Sequence, residues 1–236
     1  LRLGHKQHGR AERVDAVKDD VAALLGWRPA HFARFAASLP DSYWLAETPD
    51  VIAGNARLVE RSKEGGIELR PLADRGATLA TVHAADQPGL FHRLAGAISL
   101  AGGNIIDARI HTTADGMALD NFLIQDPAGA PFDEPHQLKR LEREIGRALG
   151  GEEPGQERLA ARGPARPRAS AFTVQPAVFI DDSASSRYTV VEINAQDRPA
   201  LLSDLALAIT RSKATIRSAH IATYGERAVD VFYLTG

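Results

Sequence analysis

The sequence contains an internal repeat, so its fold is predicted to contain one structural unit twice. Residues 78–112 match residues 189–223 at an offset of 111, and thirteen of the 35 aligned positions are identical. Average composition gives roughly two identities by chance over this length. Beyond a turn the offset falls to 110, where Asp120 and Phe122 match Asp230 and Phe232. Two copies of one fold tolerate such a length change in a turn.

Each copy predicts a strand, a turn, a helix and a β-hairpin. In the first copy these are a strand at 77–84, a turn at 86–89, a helix at 90–101 and strands at 104–113 and 117–125. A helix at 138–149 and a strand at 172–180 are predicted to complete βαββαβ, the ferredoxin-like arrangement. The second copy reaches only its third strand at Gly236, so we expect the chain to continue or a partner to cover the exposed face.

The predicted fold class is therefore α+β, with two repeated units behind a helical segment. Residues 1–66 carry three apolar stripes of helical spacing, and Thr48 is placed to cap the third helix. The first unit is assigned to 67–182, with an inserted loop at 151–168 that is rich in Gly, Pro, Arg and Glu. The second, incomplete unit is assigned to 183–236.

Composition excludes several classes of function. Lys and Arg number 28 against 30 Asp and Glu, so the formal charge of −2 argues against a chain-wide basic surface for nucleic acid. The absence of cysteine excludes disulfides, thiolate metal sites and a cysteine nucleophile, and it is compatible with the cytoplasm. No apolar run reaches the roughly 18 residues that a membrane span needs.

The turn after the first strand of each copy carries a resemblance to ACT domains, which are small-molecule sensing modules. It reads Asp-x-Pro-Gly-Leu at 86–90 and Asp-Arg-Pro at 197–199. Together with 104–113, 218–223, 225–233, Tyr43-Trp44-Leu45 and 55–59, the sequence resembles one family, the bifunctional uridylyltransferase/uridylyl-removing enzymes of the nitrogen-regulatory PII protein. Ala200 departs from that family, which usually has glycine at this position.

The resemblance implies a regulatory role for this chain. In that family one domain adds UMP to PII, an HD domain removes it, and the C-terminal tandem ACT domains sense glutamine. The resemblance therefore implies L-glutamine as effector, PII as partner of the parent enzyme, and Mg or another divalent metal in its catalytic domains. No catalytic residue, metal ligand or cofactor is expected within this chain, which lacks Gly-Ser, Asp-x-Asp and His-Asp motifs.

The candidate ligand site is the turn and helix start of each copy, together with the start of the following strand. Backbone amides around Gly89 and Leu90 are predicted to hold a ligand carboxylate, and Asp86 its ammonium group. Gln87 and Asn104 are predicted to meet a side-chain amide near this turn, since they offer both donor and acceptor. The resemblance to ACT pairs also implies that the strand start at Asn104 faces the loop of a neighbouring unit. The predicted ligand-binding residues are Asp86, Gln87, Gly89, Leu90, Asn104, Ile105, Asp197, Arg198, Ala200, Leu201, Thr215 and Ile216.

Other interpretations stay open at this point. Asp86 and Asp197 can serve only as helix caps, and Asn104 only as a turn residue. The ACT pair can regulate a different amino-acid-responsive enzyme, or pair within or between chains as a dimerisation module without a ligand. RNA binding through a βαββαβ fold is disfavoured, because strand 104–113 has no aromatic residue to stack on bases.

Overall fold

The computed structural model describes residues 2–161, 174–185 and 187–236. These fall into two compact units. The first unit contains the residues up to Gly66 together with Val82–Ala85 and His111–Leu119. The second contains Ile67–Thr81, Asp86–Ile110 and the described residues from Asp120 onward.

Four helices form most of the first unit, and the apolar stripes predict three of them. They are α1 (Arg2–Leu25), α2 (Pro29–Ala37), α3 (Asp41–Ala46) and α4 (Pro49–Arg61). Helix α3 was not predicted, because six residues are too few for a periodic stripe. Thr48 occupies the N-cap position of α4 as predicted, but its hydroxyl donates to the Asp50 carboxylate at 2.5 Å and makes no cap hydrogen bond to the backbone.

Aromatic side chains hold the first unit together. Tyr43 and Trp44 on α3 are fully buried, and they meet edge to face with ring centroids 5.8 Å apart. Asn55 on α4 donates to the Tyr43 hydroxyl at 2.9 Å, so the buried phenol has its hydrogen-bond partner. His111 lies 3.6 Å from the buried carboxylate of Glu47 and packs against the Tyr43 ring.

The first sheet has four strands in the order β1-β2-β4-β3. Their bounds are β1 (Gly66–Leu72), β2 (Ala77–Ala85), β3 (Asn104–Arg109) and β4 (Met117–Gln125). Helix α5 (Leu90–Ala101) connects β2 to β3, and α6 (Pro135–Leu149) follows β4. Gly102 ends α5 in the left-handed conformation, as the Gly102-Gly103 pair predicts.

The second sheet repeats this order with β5-β6-β8-β7. Its strands are β5 (Ala177–Asp181), β6 (Thr189–Gln196), β7 (Thr215–Tyr224) and β8 (Arg227–Thr235), and α8 (Leu201–Arg211) connects β6 to β7. A short helix, α7 (Gln156–Ala160), lies in the predicted loop at 151–168, of which residues 162–168 are outside the described residues. The α+β fold class with two repeated units is confirmed.

The strand predicted at 172–180 belongs to the second sheet, so its assignment to the first unit is wrong. Residues 172 and 173 lie outside the described residues, and β5 pairs antiparallel with β6 from Ala177↔Asn194 to Asp181↔Val190. The corresponding edge of the first sheet is occupied by β1, which reaches β2 through a four-residue connection. A short connection costs less chain entropy than the long return from α6, which explains why the preceding strand takes each edge. The expected three-stranded second unit therefore has four strands.

Candidate functional site

The turn between the first strand and the helix has the same conformation in both copies. Helix α5 begins after Gly89, whose φ is 77°, and α8 begins after Ala200, whose φ is 62°. In each turn the backbone amide of the first helical residue donates to the carbonyl three residues earlier. Leu90 N donates to Gln87 O at 3.0 Å, and Leu201 N donates to Arg198 O at 3.2 Å. The repeat therefore preserves the turn even where glycine is replaced.

Two details of the predicted site are wrong. Asp86 and Asp197 do not occupy the N-cap position, because Gly89 and Ala200 do. The Leu90 amide is already bonded to Gln87 O, so it is not available to a ligand carboxylate. The backbone amides of the residues that follow Leu90 in the first helical turn have no hydrogen-bond acceptor within the helix.

Asn104 does not lie near the turn of its own copy, contrary to the prediction. It follows α5, whose 12 residues rise about 18 Å, so it lies at the opposite end of that helix from Gln87. Its position is fixed by antiparallel pairing with Gln125, and Ile105 pairs with Ile124. The same geometry separates Thr215 and Ile216 from the turn at 197–200.

The second unit brings the two copies together within one chain around an approximate two-fold relation. Helix α5 packs against α8, and β3 lies beside β7. At the helix contact, His92 Nδ1 is 2.8 Å from Ser203 O, and the Ser203 hydroxyl donates to His92 O at 3.2 Å. His92 and Ser203 are 111 residues apart and thus occupy equivalent positions of the repeat.

This pairing brings the turn of the first copy near the end of α8. A Cβ atom placed on Gly89 would lie 3.9 Å from Thr210 Cγ2, and Thr210 precedes the start of β7 by five residues. The first turn therefore faces the end of α8 that leads to Thr215 and Ile216. The repeat predicts the equivalent arrangement for the second copy, with the turn at 197–200 near the end of α5 that leads to Asn104 and Ile105.

Exposure differs among the predicted ligand-binding residues. Backbone and side chains at the turns and strand starts are open to solvent, whereas the first helical residues are buried. The exposed residues are Asp86, Gln87, Asn104, Arg198 and Thr215, those partly exposed are Gly89, Ile105, Asp197, Ala200 and Ile216, and the buried ones are Leu90 and Leu201.

Several buried polar residues beside the turns were not predicted. Arg93 is buried and donates to Pro88 O at 3.3 Å and to Ala148 O at 3.2 Å, so it fixes the first turn. Asp120 and Asp230 are 1% and 2% exposed at equivalent positions of β4 and β8. The sequence pattern that could have indicated Asp120 and Asp230 is an acidic residue inside an apolar strand in both copies.

Asp230 is the more perturbed of the buried groups around the second turn. Its Oδ1 atom is buried without a hydrogen-bond partner. Burial raises the pKa of Asp230 to about 7, and the nearby carboxylate of Asp197 contributes to the rise. A neutral or half-charged acid is thus held next to the predicted ligand turn.

The described residues contain no group of three or more His, Asp or Glu side chains arranged to hold a metal ion. None of the helices in the same described part of the chain combines the length and the apolar character needed to cross a membrane.

The first copy of the repeat contains an ACT domain. The ACT domain family matches residues 78–146, which contain the first turn, α5, β3 and β4. The assignment of the second copy rests on the sequence repeat and on the repeated strand order. A solved structure, an aspartate kinase from Synechocystis, has a TM-score of 0.40 and 13% identity, covering 68% of this chain and 24% of that one.

Several proteins with sequences similar to this whole chain carry the same enzyme name. Bifunctional uridylyltransferase/uridylyl-removing enzymes are 53% identical over 237 residues in Novosphingobium aromaticivorans and 50% over 241 residues in Erythrobacter litoralis, each covering all of this chain. The enzyme from Zymomonas mobilis is 47% identical over 96% of the chain. The chain spans about a quarter of the length of these relatives. The predicted resemblance to this family is confirmed.

Proposed function

We propose that this chain is the glutamine-sensing regulatory part of a bifunctional uridylyltransferase/uridylyl-removing enzyme. The single observation that carries the proposal is the paired arrangement of two equivalent turns, each at a helix start and each facing the other copy. Each turn also carries exposed residues, Asp86 and Gln87 in the first copy and Arg198 in the second, that a ligand can reach. The names of the relatives supply the enzyme to which such a sensor would belong.

The chemistry of the turn suits an amino acid. The amides of Phe91 and His92 follow Leu90 in the first turn of α5, where the positive end of the helix dipole favours a carboxylate. Asp86 is exposed beside them and can accept a charge-assisted hydrogen bond from an ammonium group. Gln87, with Thr215 from the other copy, offers donors and acceptors for a side-chain amide.

Calorimetric titration of the chain with L-glutamine tests the proposal. Glutamate, asparagine and serine are the controls, because they change the charge or the length of the side chain. We expect selective binding of L-glutamine, which the Asp86→Ala variant should lose at the first site. Equal binding of all four amino acids would contradict glutamine sensing but not amino-acid binding.

A second candidate function is assembly without a ligand. The tight contact between α5 and α8 favours it, since His92 and Ser203 exchange buried hydrogen bonds. In that case the chain would bind none of the amino acids, and substitutions at the helix contact would weaken the packing of the two copies against each other. The same calorimetric experiment therefore separates the two candidates.

The proposal also includes the activity of the parent enzyme. We infer that the parent protein transfers UMP to PII and removes it in the cytoplasm, with Mg or another divalent metal in catalytic domains outside this chain. Glutamine binding at the ACT pair would then alter the ratio of the two activities. Assays of UMP transfer and removal with the full-length enzyme, with and without glutamine, test this inference. An Asp86→Ala enzyme should keep both activities and lose their response to glutamine.

A further inference from the structure

The carboxylate of Asp230 has no structural task that the fold explains. It is 2% exposed on β8, and its Oδ1 atom has no hydrogen-bond partner. Burying an unpaired acid costs free energy that an apolar residue would not cost. Such a group is retained more readily where it meets a ligand than where it only packs.

The orientation of Asp230 is fixed by the sheet. Along β8 the buried positions alternate with partly exposed ones, and Asp230 shares the buried face with Ala228 and Phe232. Its register partners are Ile193 on β6 and Ile221 on β7. The side chain therefore points to the face of the sheet on which α8 lies.

The turn at 197–200 brings a second carboxylate to this face. Asp197 follows β6 directly and is held by its amide, which donates to Glu226 O at 2.8 Å. Burial raises the pKa of Asp230, and the negative charge of Asp197 raises it further. Asp197 at the turn and Asp230 on the strand, whose Oδ1 atom is buried without a hydrogen-bond partner, together form a site for a cationic group.

We propose that Asp230 is a specificity-determining residue of the second ligand site, where it and Asp197 together hold the ammonium group of a bound amino acid. This inference rests on the proposed amino-acid binding and names the group that recognises the ammonium. An ammonium offers three N–H donors, enough to bond both carboxylates at once. The exposed Arg198 does not compete for Asp230, since it is paired with Asp204 at 2.6 Å.

Ligand binding at this site should release a proton. Without ligand, Asp230 exchanges between acid and carboxylate near neutral pH, because its pKa is raised to about 7. A bound ammonium favours the carboxylate, so the acid proton leaves to solvent as the ligand enters. At pH 7 about half a proton should be released per ligand bound there.

No other titratable group on the surrounding elements explains such a release among the described residues. On β6 and β7 the residues flanking the register partners alternate to the opposite face of the sheet, and the buried face of α8 is apolar except for a serine. The flanking residues are Glu192, Asn194, His220 and Ala222, and the buried residues of α8 are Leu201, Leu202, Ser203, Ala206 and Ile209. The charged residues of α8 are Asp204, which pairs with Arg198, and Arg211, which is exposed.

Calorimetry of the unaltered chain with L-glutamine, in two buffers of different ionisation enthalpy, measures the proton directly. We expect release at pH 7 and an apparent affinity of the second site that falls about tenfold from pH 8 to pH 6. The deaminated analogue 4-carbamoylbutanoate should bind more weakly and release no proton. These measurements need no variant and therefore do not depend on how a substitution affects folding.

The Asp230→Asn variant should abolish the release and weaken the second site at least tenfold, whereas Asp182→Asn, an exposed acid of the same unit, should change neither. Glutamine binding without proton release, and with the same affinity in Asp230→Asn, would overturn this inference and leave the proposed function standing. Binding of no amino acid at all would overturn both.

Discussion

Two positions of the repeat hold left-handed backbone in both copies, although only the first copy has glycine there. Gly89 and Ala200 precede the helices with φ of 77° and 62°, and the second pair is Gly102 with φ of 95° and Lys213 with φ of 65°. Ala200 and Lys213 are the described non-glycine residues with positive φ. The fold of the repeat therefore requires these conformations, and the second copy adopts them at a cost of roughly 1–2 kcal/mol each.

The matched exchange of residues at the first pair tests this requirement. Gly89→Ala should lower the free energy of unfolding by about 1 kcal/mol, and Ala200→Gly should raise it by up to about 1 kcal/mol. Sterics do not decide the first case, because a Cβ at Gly89 lies at ordinary contact distances of 3.5 Å and 3.9 Å. Urea unfolding followed by circular dichroism measures both variants. Destabilisation by both would mean that contacts, and not backbone conformation, set the preference.

Asp230 also predicts how the stability of the ligand-free chain depends on pH. Its pKa is raised from 3.8 to about 7 in the folded state. The folded chain therefore binds more protons than the unfolded chain between these values, and stability from this group falls as the pH rises through that window. Asp230→Asn should leave stability near pH 4 unchanged and increase it at pH 8 by about 2–4 kcal/mol. Denaturant unfolding at both pH values checks this, and equal differences at pH 4 and pH 8 would contradict it.

Part of the candidate site is predictable from the residues alone. The turn motif appears twice with Asp, Pro and Leu at fixed spacing, so both turns and both helix starts were located from the sequence. The hydrogen bond from the Leu90 amide to Gln87 O and the burial of Asp230 depend on the three-dimensional fold, which the spacing of a sequence motif does not specify. For Asn104 the residues alone indicate its own turn, whereas the resemblance to ACT pairs indicates the loop of a neighbouring unit.

At the scale of elements, the contact between α5 and its neighbours depends on a residue without a side chain. A Cβ atom at Gly96 would lie 2.5 Å from Pro154 Cβ and Cγ and 3.0 Å from Ser203 Oγ. Pro154 is buried against α5, and Ser203 belongs to α8. Gly96 thus sets how closely both neighbours approach the helix.

Gly96→Ala should destabilise the chain by about 1–3 kcal/mol, because the added methyl group forces packed atoms apart. Gly146→Ala is the matched control within α6, where a Cβ has no atom within 4 Å and the position is exposed. That control should stabilise the chain by about 0.5–1 kcal/mol through helix propensity. Thermal unfolding distinguishes the two, and stabilisation of the chain by Gly96→Ala would show that the contact yields without strain.

The presence of a strand was easier to predict than the sheet in which it pairs. β5 contains a run of β-branched and aromatic residues, which identified a strand, but the pattern does not say which sheet it joins. β1 was missed altogether, since Glu68, Arg70 and Pro71 interrupt its apolar pattern. In both copies the edge position is filled by the strand that precedes the repeat, so the repeat unit of the fold begins earlier than the repeat visible in the sequence.

At the scale of the molecule, the second unit combines both copies in one chain. The bulge in β3 between Ile105 and Asp107 recurs in β7 between Ile216 and Ser218, at the same offset of 111. Between these bulged strands, Asp107 Oδ1 is 3.6 Å from His220 Nδ1. The two copies thus share backbone irregularities as well as strand order, and the two turns are expected to bind related ligand groups.

The two-fold relation predicts two ligand sites of unequal affinity in each chain. The first site has Gly89 and Gln87 at its turn, whereas the second has Ala200 and Arg198, so equal affinity is not expected. Calorimetry with L-glutamine should therefore show two binding events per chain. Asp86→Ala should remove one of them and Asp197→Ala the other, each with loss of at least tenfold in affinity, because each removes the acceptor for the ligand ammonium at its own turn.

The matched pair of variants also separates independent sites from coupled ones. If the sites act independently, each variant leaves the remaining event with its original affinity. If binding at one turn orders the shared contact between α5 and α8, each variant weakens the remaining event by the same factor, since coupling between two sites is reciprocal. A single event in the unaltered chain, lost in only one variant, would show that the second copy serves the assembly of the pair and not the recognition of a ligand.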